Sequence, residues 1–246
     1  MQYFPAALQE LADQFARLPG IGGKTFGLNI PTLTAPQMDA LLTKCRESLP
    51  LERCSEFTVE AGRPDTITRE KLEVLKRHNI GRISINPQTL NDDVLRAIGR
   101  CHSSDDIRRA YDLAREVGFD CINMDLIAGL PGDSPENFER SLKDVIALDP
   151  ESVTVHTLAY KRSSSLIPTK ELFARGQETS QMVDTANELL ASAGYAPYYM
   201  YRQTRSVGNL ENVGWAKPGC ESAYNVFMME ECQDIFACGA GAVTKM

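Results

Sequence analysis

Four segments of the chain are rich in apolar and β-branched residues, and each carries a polar group at or near its carboxyl end. These segments are residues 55–61 with Glu60, 81–88 with Gln88, 121–133 with Asp125 and 152–160 with Tyr160. A carboxylate inside a run as apolar as CINMDLIAGLPGD costs free energy unless another group pairs with it. Asp125 therefore marks either a ligand site or a structural hydrogen bond, and the three similar segments favour the ligand site.

Segments with apolar residues at helical spacing alternate with these strand-like runs. We predict strands at 55–61, 82–86, 121–128, 152–160 and 196–202, helices at 35–48, 69–78, 92–99, 104–117, 135–148, 179–193 and near 224–238, and a Gly/Asn-rich loop after residue 202. Ser104 and Gly118 are the predicted caps of the fourth helix. The alternation implies parallel βαβ units with right-handed crossovers, wound into an open sheet or a barrel.

Ligand sites in such folds lie at the carboxyl ends of the strands. The four polar groups that end the strand-like runs all fall there. One polar residue at the end of a strand is ordinary, but four at corresponding places indicate a small-molecule site.

Composition narrows the class of protein. The chain has 246 residues and a formal net charge of −7, which argues against extensive binding to nucleic acid or to an anionic membrane. No apolar run approaches the roughly 20 residues that span a bilayer. The first residues are acidic and amphipathic, unlike a signal peptide, so we expect a cytoplasmic protein without a membrane partner.

Cysteine spacing bears on metal binding. Seven cysteines stand at positions 45, 54, 101, 121, 220, 232 and 238, and the closest two are six positions apart. The chain therefore has no C-x-x-C or C-x-x-x-C pair, which excludes zinc ribbons, thioredoxin-like pairs and cysteine-rich iron–sulfur loops within it. We predict no metal site and expect reduced, mostly buried thiols.

Several ordered motifs over residues 30–246 carry a family resemblance. FTVEAGRPDTIT, RISINPQTLNDDVLRAIGR, INMDLIAGLPGD and RQTRSVGNLENVGWAKPGCESAYN resemble the oxygen-independent coproporphyrinogen III dehydrogenases, the HemZ/HemN-like group of radical SAM enzymes. The resemblance implies an α/β fold, a partial (β/α) barrel. It also implies S-adenosylmethionine (SAM) and a [4Fe–4S] cluster, which together make a 5′-deoxyadenosyl radical. That radical starts the oxidative decarboxylation of coproporphyrinogen III to protoporphyrinogen IX in haem synthesis.

The resemblance also assigns contacts to SAM. It places Glu60 at the amino or nucleoside end, Gln88 as an amide contact, Arg100 near the carboxylate and Asp125 at the ribose. A guanidinium fork suits a carboxylate because it donates two parallel hydrogen bonds. Each residue also has an ordinary interpretation: a solvated strand end for Glu60, a turn contact for Gln88, a helix-end charge for Arg100 and a loop cap for Asp125.

Two histidines and a tyrosine-rich segment are weaker candidates. His102 and His156 suit a ligand or a proton carrier, although an ordinary loop residue and an ordinary strand residue describe them equally well. Contacts to a tetrapyrrole and its carboxylates are one interpretation of Tyr198, Tyr199, Tyr201 and Arg202. A strand of mixed burial is the other interpretation of the same residues. No catalytic residue is assigned.

The amino-terminal part departs from the family. The family's C-x-x-x-C-x-x-C loop is absent, and so is the Gly-rich segment before the Pro-Thr motif. Residues 1–27 instead resemble the start of the recombination mediator RecR, and LPGIGGKT resembles a helix-hairpin-helix turn. The glycines of Gly20–Gly23 would give at most weak DNA contact through backbone N–H groups.

The sequence therefore predicts three parts. They are a RecR-type head of foreign origin at 1–29, a radical SAM barrel lacking its first strand and cluster loop at 30–203, and a truncated carboxyl-terminal region at 204–246. The leading hypothesis is an inactive fragment of a coproporphyrinogen dehydrogenase. Two alternatives stay open: a DNA-associated module built on the hairpin, and a pseudoenzyme that binds SAM or a tetrapyrrole.

Overall fold

The computed structural model describes residues 25–29, 32–49, 51, 54–159, 170–204, 206–231 and 234. Three predicted features lie outside the described residues. They are the hairpin glycines of Gly20–Gly23, the strand-end Tyr160, and the end of the last predicted helix after residue 231, apart from residue 234.

A single seven-stranded sheet organises the described part of the chain. Its strands are β1 Thr25–Asn29, β2 Glu56–Gly62, β3 Arg82–Gln88, β4 Ile122–Ala128, β5 Ser152–Thr157, β6 Ala196–Tyr201 and β7 Asn212–Ala216, in the order β1-β2-β3-β4-β5-β7-β6. The first five strands run parallel, and β7 pairs antiparallel with β5 and β6. The sheet curls into a half-barrel, which confirms the predicted α/β partial barrel.

Seven helices flank or follow these strands in the described residues. They are α1 Ala35–Ser48, α2 Arg69–Arg77, α3 Asp92–Ala97, α4 Ser104–Val117, α5 Pro135–Leu148, α6 Lys170–Ser192 and α7 Ala223–Glu230. Side-chain caps fix several of them; Asn91, for example, accepts hydrogen bonds from the backbone N–H groups of Asp93 and Val94. The cap of α4 is Ser103, so the prediction of Ser104 was wrong by one residue, whereas Gly118 closes the helix in the left-handed region at φ 95° as predicted.

The structure differs from the prediction at α6 and at β7. α6 begins nine residues before the predicted start and passes through Gly176, where a Cβ would make only an ordinary contact of 3.5 Å with Gly208 Cα. The predicted Gly/Asn-rich loop contains β7. Gly214 suggests a loop in the sequence, but in the sheet it leaves room for the ring of Tyr199, whose Cε1 would lie 1.8 Å from a Cβ at that position.

The strand β1 corrects the predicted boundary of the head. Thr25–Asn29 pairs in parallel with β2, and Asn29 lies opposite Glu60. These five residues therefore belong to the sheet, because their backbone groups complete its edge, and not to a separate amino-terminal head. The residues before 25 lie outside the described part of the chain.

The hydrophobic core lies between the sheet and its helices. Alternate residues of the central strands point outward into it, among them Ile83, Ile85, Ile122, Met124 and Leu126, and all five are essentially inaccessible to solvent. The intervening positions point to the concave face of the sheet. No described helix has both the length and the apolar character needed to span a membrane.

Candidate functional site

A cavity of about 460 Å³ occupies the concave face of the half-barrel. Six strands line it with residues two positions apart: Gly27 and Asn29, Thr58 and Glu60, Arg82 and Ser84, Asn123 and Asp125, Thr154 and His156, and Tyr199 and Tyr201. Residues of α7 and its start close one side of the cavity. The spacing follows from the strand period of two, which sends every second side chain to the same face.

Glu60 lies at the centre of the first polar cluster. Its Oε1 accepts a hydrogen bond of 2.8 Å from Asn86 Nδ2, and its Oε2 accepts one of 2.7 Å from Asn29 Nδ2. Burial raises the pKa of this carboxyl, and the nearby charge of Asp125 adds to the rise. The cavity thus holds two carboxylates whose mutual repulsion a cationic ligand would relieve.

Asn123 connects the second carboxylate to the floor of the cavity. Its Nδ2 donates to Asp125 Oδ1 at 2.7 Å and to Ser84 Oγ at 2.9 Å. Its Oδ1 accepts from Ser152 Oγ at 3.0 Å and from Thr154 Oγ1 at 3.3 Å. All four hydrogen-bonding positions of the amide are used, so its orientation is fixed, and it holds Asp125 Oδ1 in place.

Asp125 also faces a histidine. Its Oδ2 lies 3.8 Å from His156 Nε2, and His156 Nδ1 lies 3.4 Å from the hydroxyl of Tyr201. Because Asn123 occupies only Oδ1, the Oδ2 atom of Asp125 remains able to accept a hydrogen bond from a ligand hydroxyl. The cavity therefore offers a carboxylate oxygen, an imidazole and a phenol along one line.

Tyrosines form the wall of the cavity beside this line. The rings of Tyr199 and Tyr201 stack with centroids 6.3 Å apart and planes inclined by 12°, and Tyr198 meets Tyr199 edge to face at 4.8 Å. Burial raises the pKa of Tyr199 and of Tyr201, so both phenols stay neutral. This wall presents flat apolar surface together with hydroxyl groups.

The four predicted SAM contacts divide into two pairs. Glu60 and Asp125 line the cavity together, whereas Gln88 and Arg100 do not line it. Gln88 ends β3 in the left-handed region at φ 69° and is 8% exposed. Arg100 follows α3, and its backbone N–H donates to the carbonyl of Leu95.

The two histidines also separate. His156 lines the cavity, but His102 is buried outside it with Nδ1 3.5 Å from Asp65 Oδ1. Burial lowers the pKa of His102 and favours its neutral form. Of the two, only His156 faces the cavity.

Sequence reasoning missed the neutral polar residues that support the two carboxylates. Each of them has a polar neighbour on the same face. Asn29 lies opposite Glu60, Ser84 and Asn86 are two positions apart on β3, and Asn123 lies two positions before Asp125. The signal was present, because polar residues recur at spacing two inside runs otherwise buried on both faces. Attention to strand ends alone left the lower layers of the cavity out.

The five cysteines at described positions do not form the ligand set of an iron–sulfur cluster. Across the described ranges, no group of three or more His, Cys, Asp or Glu side chains is placed to hold a metal ion. Cys45 is buried on α1, while Cys101 is exposed after α3. The cavity itself fits a ligand rich in N–H and O–H groups, since carboxylate and amide oxygens face it.

Comparisons with known proteins agree on one superfamily. The sequence model described as the radical SAM superfamily matches residues 3–145. That match includes most of the segment compared above with RecR, and the RecR resemblance has no support in these comparisons.

Three similar proteins indicate where the likeness extends. The chain is 48% identical over 224 residues to the oxygen-independent coproporphyrinogen-III oxidase-like protein HemZ of Bacillus subtilis, covering 89% of this chain and 45% of HemZ. It is 31% identical over 245 residues to the heme chaperone HemW of the same organism, covering 98% of this chain and 62% of HemW. The solved structure of coproporphyrinogen III oxidase (HemN) from Escherichia coli matches with a TM-score of 0.74 at 22% identity, covering 99% of this chain and 57% of HemN, which shows a shared fold. The chain thus spans about half the length of the curated relatives it matches.

Proposed function

The chain belongs to the radical SAM superfamily, and from that premise we propose that its half-barrel cavity binds S-adenosylmethionine through Glu60 and Asp125. The observation that supports this most is the pair of carboxylates on one face, each held by amide side chains. SAM carries a sulfonium and an ammonium against one carboxylate, so a cavity with two carboxylates favours it electrostatically.

The two carboxylates would divide the ligand between them. Asp125 accepts a ribose hydroxyl at Oδ2, since Oδ1 is taken by Asn123. Glu60 receives the amino or nucleoside end with the lone pairs that Asn29 and Asn86 leave free. Gln88 and Arg100 keep their proposed contacts only if the ligand extends beyond the cavity.

In the family, a [4Fe–4S] cluster supplies the electron that cleaves SAM. The sequence has no C-x-x-x-C-x-x-C motif, and the cysteines at described positions do not fit that cluster, so we assign no radical step to these residues. We propose that the chain acts in haem metabolism as a SAM-binding module. The names of HemZ and HemN refer to coproporphyrinogen III oxidase. We propose oxidative decarboxylation of coproporphyrinogen III as the reaction of the longer proteins of this lineage.

Tetrapyrrole binding is a second candidate, as an alternative use of the same cavity. The stacked Tyr199 and Tyr201 offer a flat wall, and His156 offers an imidazole next to it. The likeness to HemW, a heme chaperone, covers 98% of the chain. Absorbance titration with haemin tests this candidate, because ligation by His156 shifts the Soret band and His156→Ala removes that shift.

The DNA-associated alternative rests on Gly20–Gly23, outside the described residues, and the cavity adds nothing to it.

Calorimetric titration with SAM tests the main proposal. We expect Asp125→Asn to weaken binding by roughly 10- to 100-fold, since a hydrogen bond to a charged group contributes about 1.5–3 kcal/mol. Asp93→Asn is the matched control, because the Asp93 side chain on α3 is 89% exposed. Absence of SAM binding to the unmodified chain, or equal affinity of the Asp125→Asn variant, would refute the assignment.

A further inference from the structure

Arg82 is the buried cation of the cavity, and no function described so far uses it. It begins β3, is 6% exposed and lines the cavity. Its guanidinium donates to Ser152 Oγ at 2.7 Å, to the backbone carbonyl of Cys220 at 2.7 Å and to Cys121 Sγ at 3.1 Å. These partners tie together the starts of three strands and the loop before α7.

The charge of this guanidinium is not neutralised by these contacts. All three acceptors are uncharged, and within the described part of the chain no carboxylate forms an ion pair with Arg82. A buried arginine without an anionic partner is unfavourable. A guanidinium has five N–H donors, and the contacts use three, so donors remain for a group inside the cavity.

Strand register places Arg82 nearer the amino ends of the strands than both acids, one side-chain layer from Glu60 and two from Asp125. Thr58 pairs with Arg82 and forms the layer nearest the amino ends. The next layer towards the carboxyl ends holds Glu60, Ser84 and Asn123, which pair across three strands. Asp125 lies one layer further along β4. Four residues of strand therefore separate the level of Arg82 from that of Asp125, which is roughly 13 Å at about 3.3 Å per residue.

The cavity is consequently polarised along the strands. Asp125 lies at its carboxyl end, Glu60 one layer lower, and Arg82 at its amino end. The nearby Glu56 carboxylate is already bonded by Ser222 Oγ and the backbone N–H of Ala223. Neutral amides and hydroxyls join the two ends: Arg82 donates to Ser152, Ser152 to Asn123, and Asn123 to Asp125. Such an arrangement favours a dipolar ligand with its anionic group at the amino end.

We propose that Arg82 forms an anion subsite that binds a carboxylate of the ligand whose other end meets Glu60 and Asp125. The subsite deepens the proposed function and rests on it, since the ligand must occupy the same cavity. The carboxylate belongs either to the amino-acid part of SAM or to an acidic side chain of a tetrapyrrole. A bidentate guanidinium–carboxylate pair suits both.

Two pairs of probes test the subsite and separate its sources. SAM is compared with decarboxylated SAM by calorimetry, and coproporphyrin III with its tetramethyl ester by fluorescence titration. In the full chain we expect Arg82→Gln to weaken one acidic probe by about tenfold or more, and to leave the probe that lacks that carboxylate unchanged. The pair that shows the difference identifies the source of the carboxylate.

Two further variants guard against a purely structural effect. Arg82→Lys keeps the charge but loses the fork, so it should retain part of the preference for the acidic probe even if Arg82→Gln unfolds. Arg96→Gln is the control, because the Arg96 side chain is 68% exposed on α3. Equal losses for the acidic and neutral probes, or an unchanged preference in both Arg82 variants, would overturn the subsite. If Asp125→Asn still weakens SAM in those circumstances, the proposed function survives and only the subsite fails.

Discussion

Replacement of Asn123 by alanine should destabilise the half-barrel and loosen its acidic site together. The variant removes four hydrogen bonds at once and leaves the hydroxyls of Ser84, Ser152 and Thr154 without this partner. At about 0.5–1.5 kcal/mol each, four bonds sum to roughly 2–6 kcal/mol. Water entering the cavity will pair with some of the exposed groups, so we expect a loss of about 2–4 kcal/mol.

Denaturant unfolding followed by circular dichroism measures this loss. Asn187→Ala is the matched control, since Asn187 is exposed on α6 and its removal should change the free energy of unfolding by less than about 0.5 kcal/mol. Asn123→Asp adds a second test. It keeps the acceptor but places a carboxylate against Asp125, so it should be more destabilising than Asn187→Asp at the same exposed control position. If Asn123→Ala costs no more than the control, the polar network does not hold the sheet as described.

Three further predictions follow from individual contacts. Gly214→Ala should lower the free energy of unfolding by about 1–3 kcal/mol, because its Cβ meets the ring of Tyr199; thermal unfolding checks this against Gly81→Ala, where a Cβ meets nothing within 4 Å. Burial raises the pKa of Asp133 to about 6 from 3.8, so the free energy of unfolding of the wild type falls as pH rises between these values. The free energy of unfolding of Asp133→Asn, relative to the wild type, should therefore rise over the same interval. The full shift corresponds to about 3 kcal/mol, which partial exposure reduces to about 1–2 kcal/mol, and a constant difference from pH 4 to 8 would contradict it. SAM affinity should fall as pH drops through the raised pKa of Glu60, since the protonated carboxyl loses its charge, and Glu60→Gln should flatten that dependence in calorimetry.

The alternation of elements was readable from the sequence because each element carries its own local signal. Asn91 and Ser134 cap helices through contacts two or three residues away, and the apolar period of each segment fits the element it forms. β7 was missed because Gly214 suggests a loop, whereas its glycine is required by the ring of Tyr199 on another strand. No local pattern reports such a contact.

In the candidate site, too, local signals could be read from the sequence, whereas contacts between strands could not. Asp125 and Glu60 could be chosen from the sequence, since an acid in an apolar run needs a partner. The spacing of two also marks Asn123 as a residue of the same face, but the sequence does not show which groups these side chains bond. Asn123 meets Ser152 and Glu60 meets Asn29 only through the register of the sheet. Arg82 looked like an ordinary strand start until that register placed it in the cavity.

The central claim is that the concave face of the half-barrel binds SAM between Glu60 and Asp125. A crystal structure of the chain with SAM tests it most directly. We expect electron density for the nucleoside inside the cavity, with Asp125 Oδ2 within hydrogen-bonding distance of a ribose hydroxyl and Glu60 facing the same ligand. An empty cavity in crystals grown at saturating SAM, or SAM bound elsewhere on the chain, would contradict it.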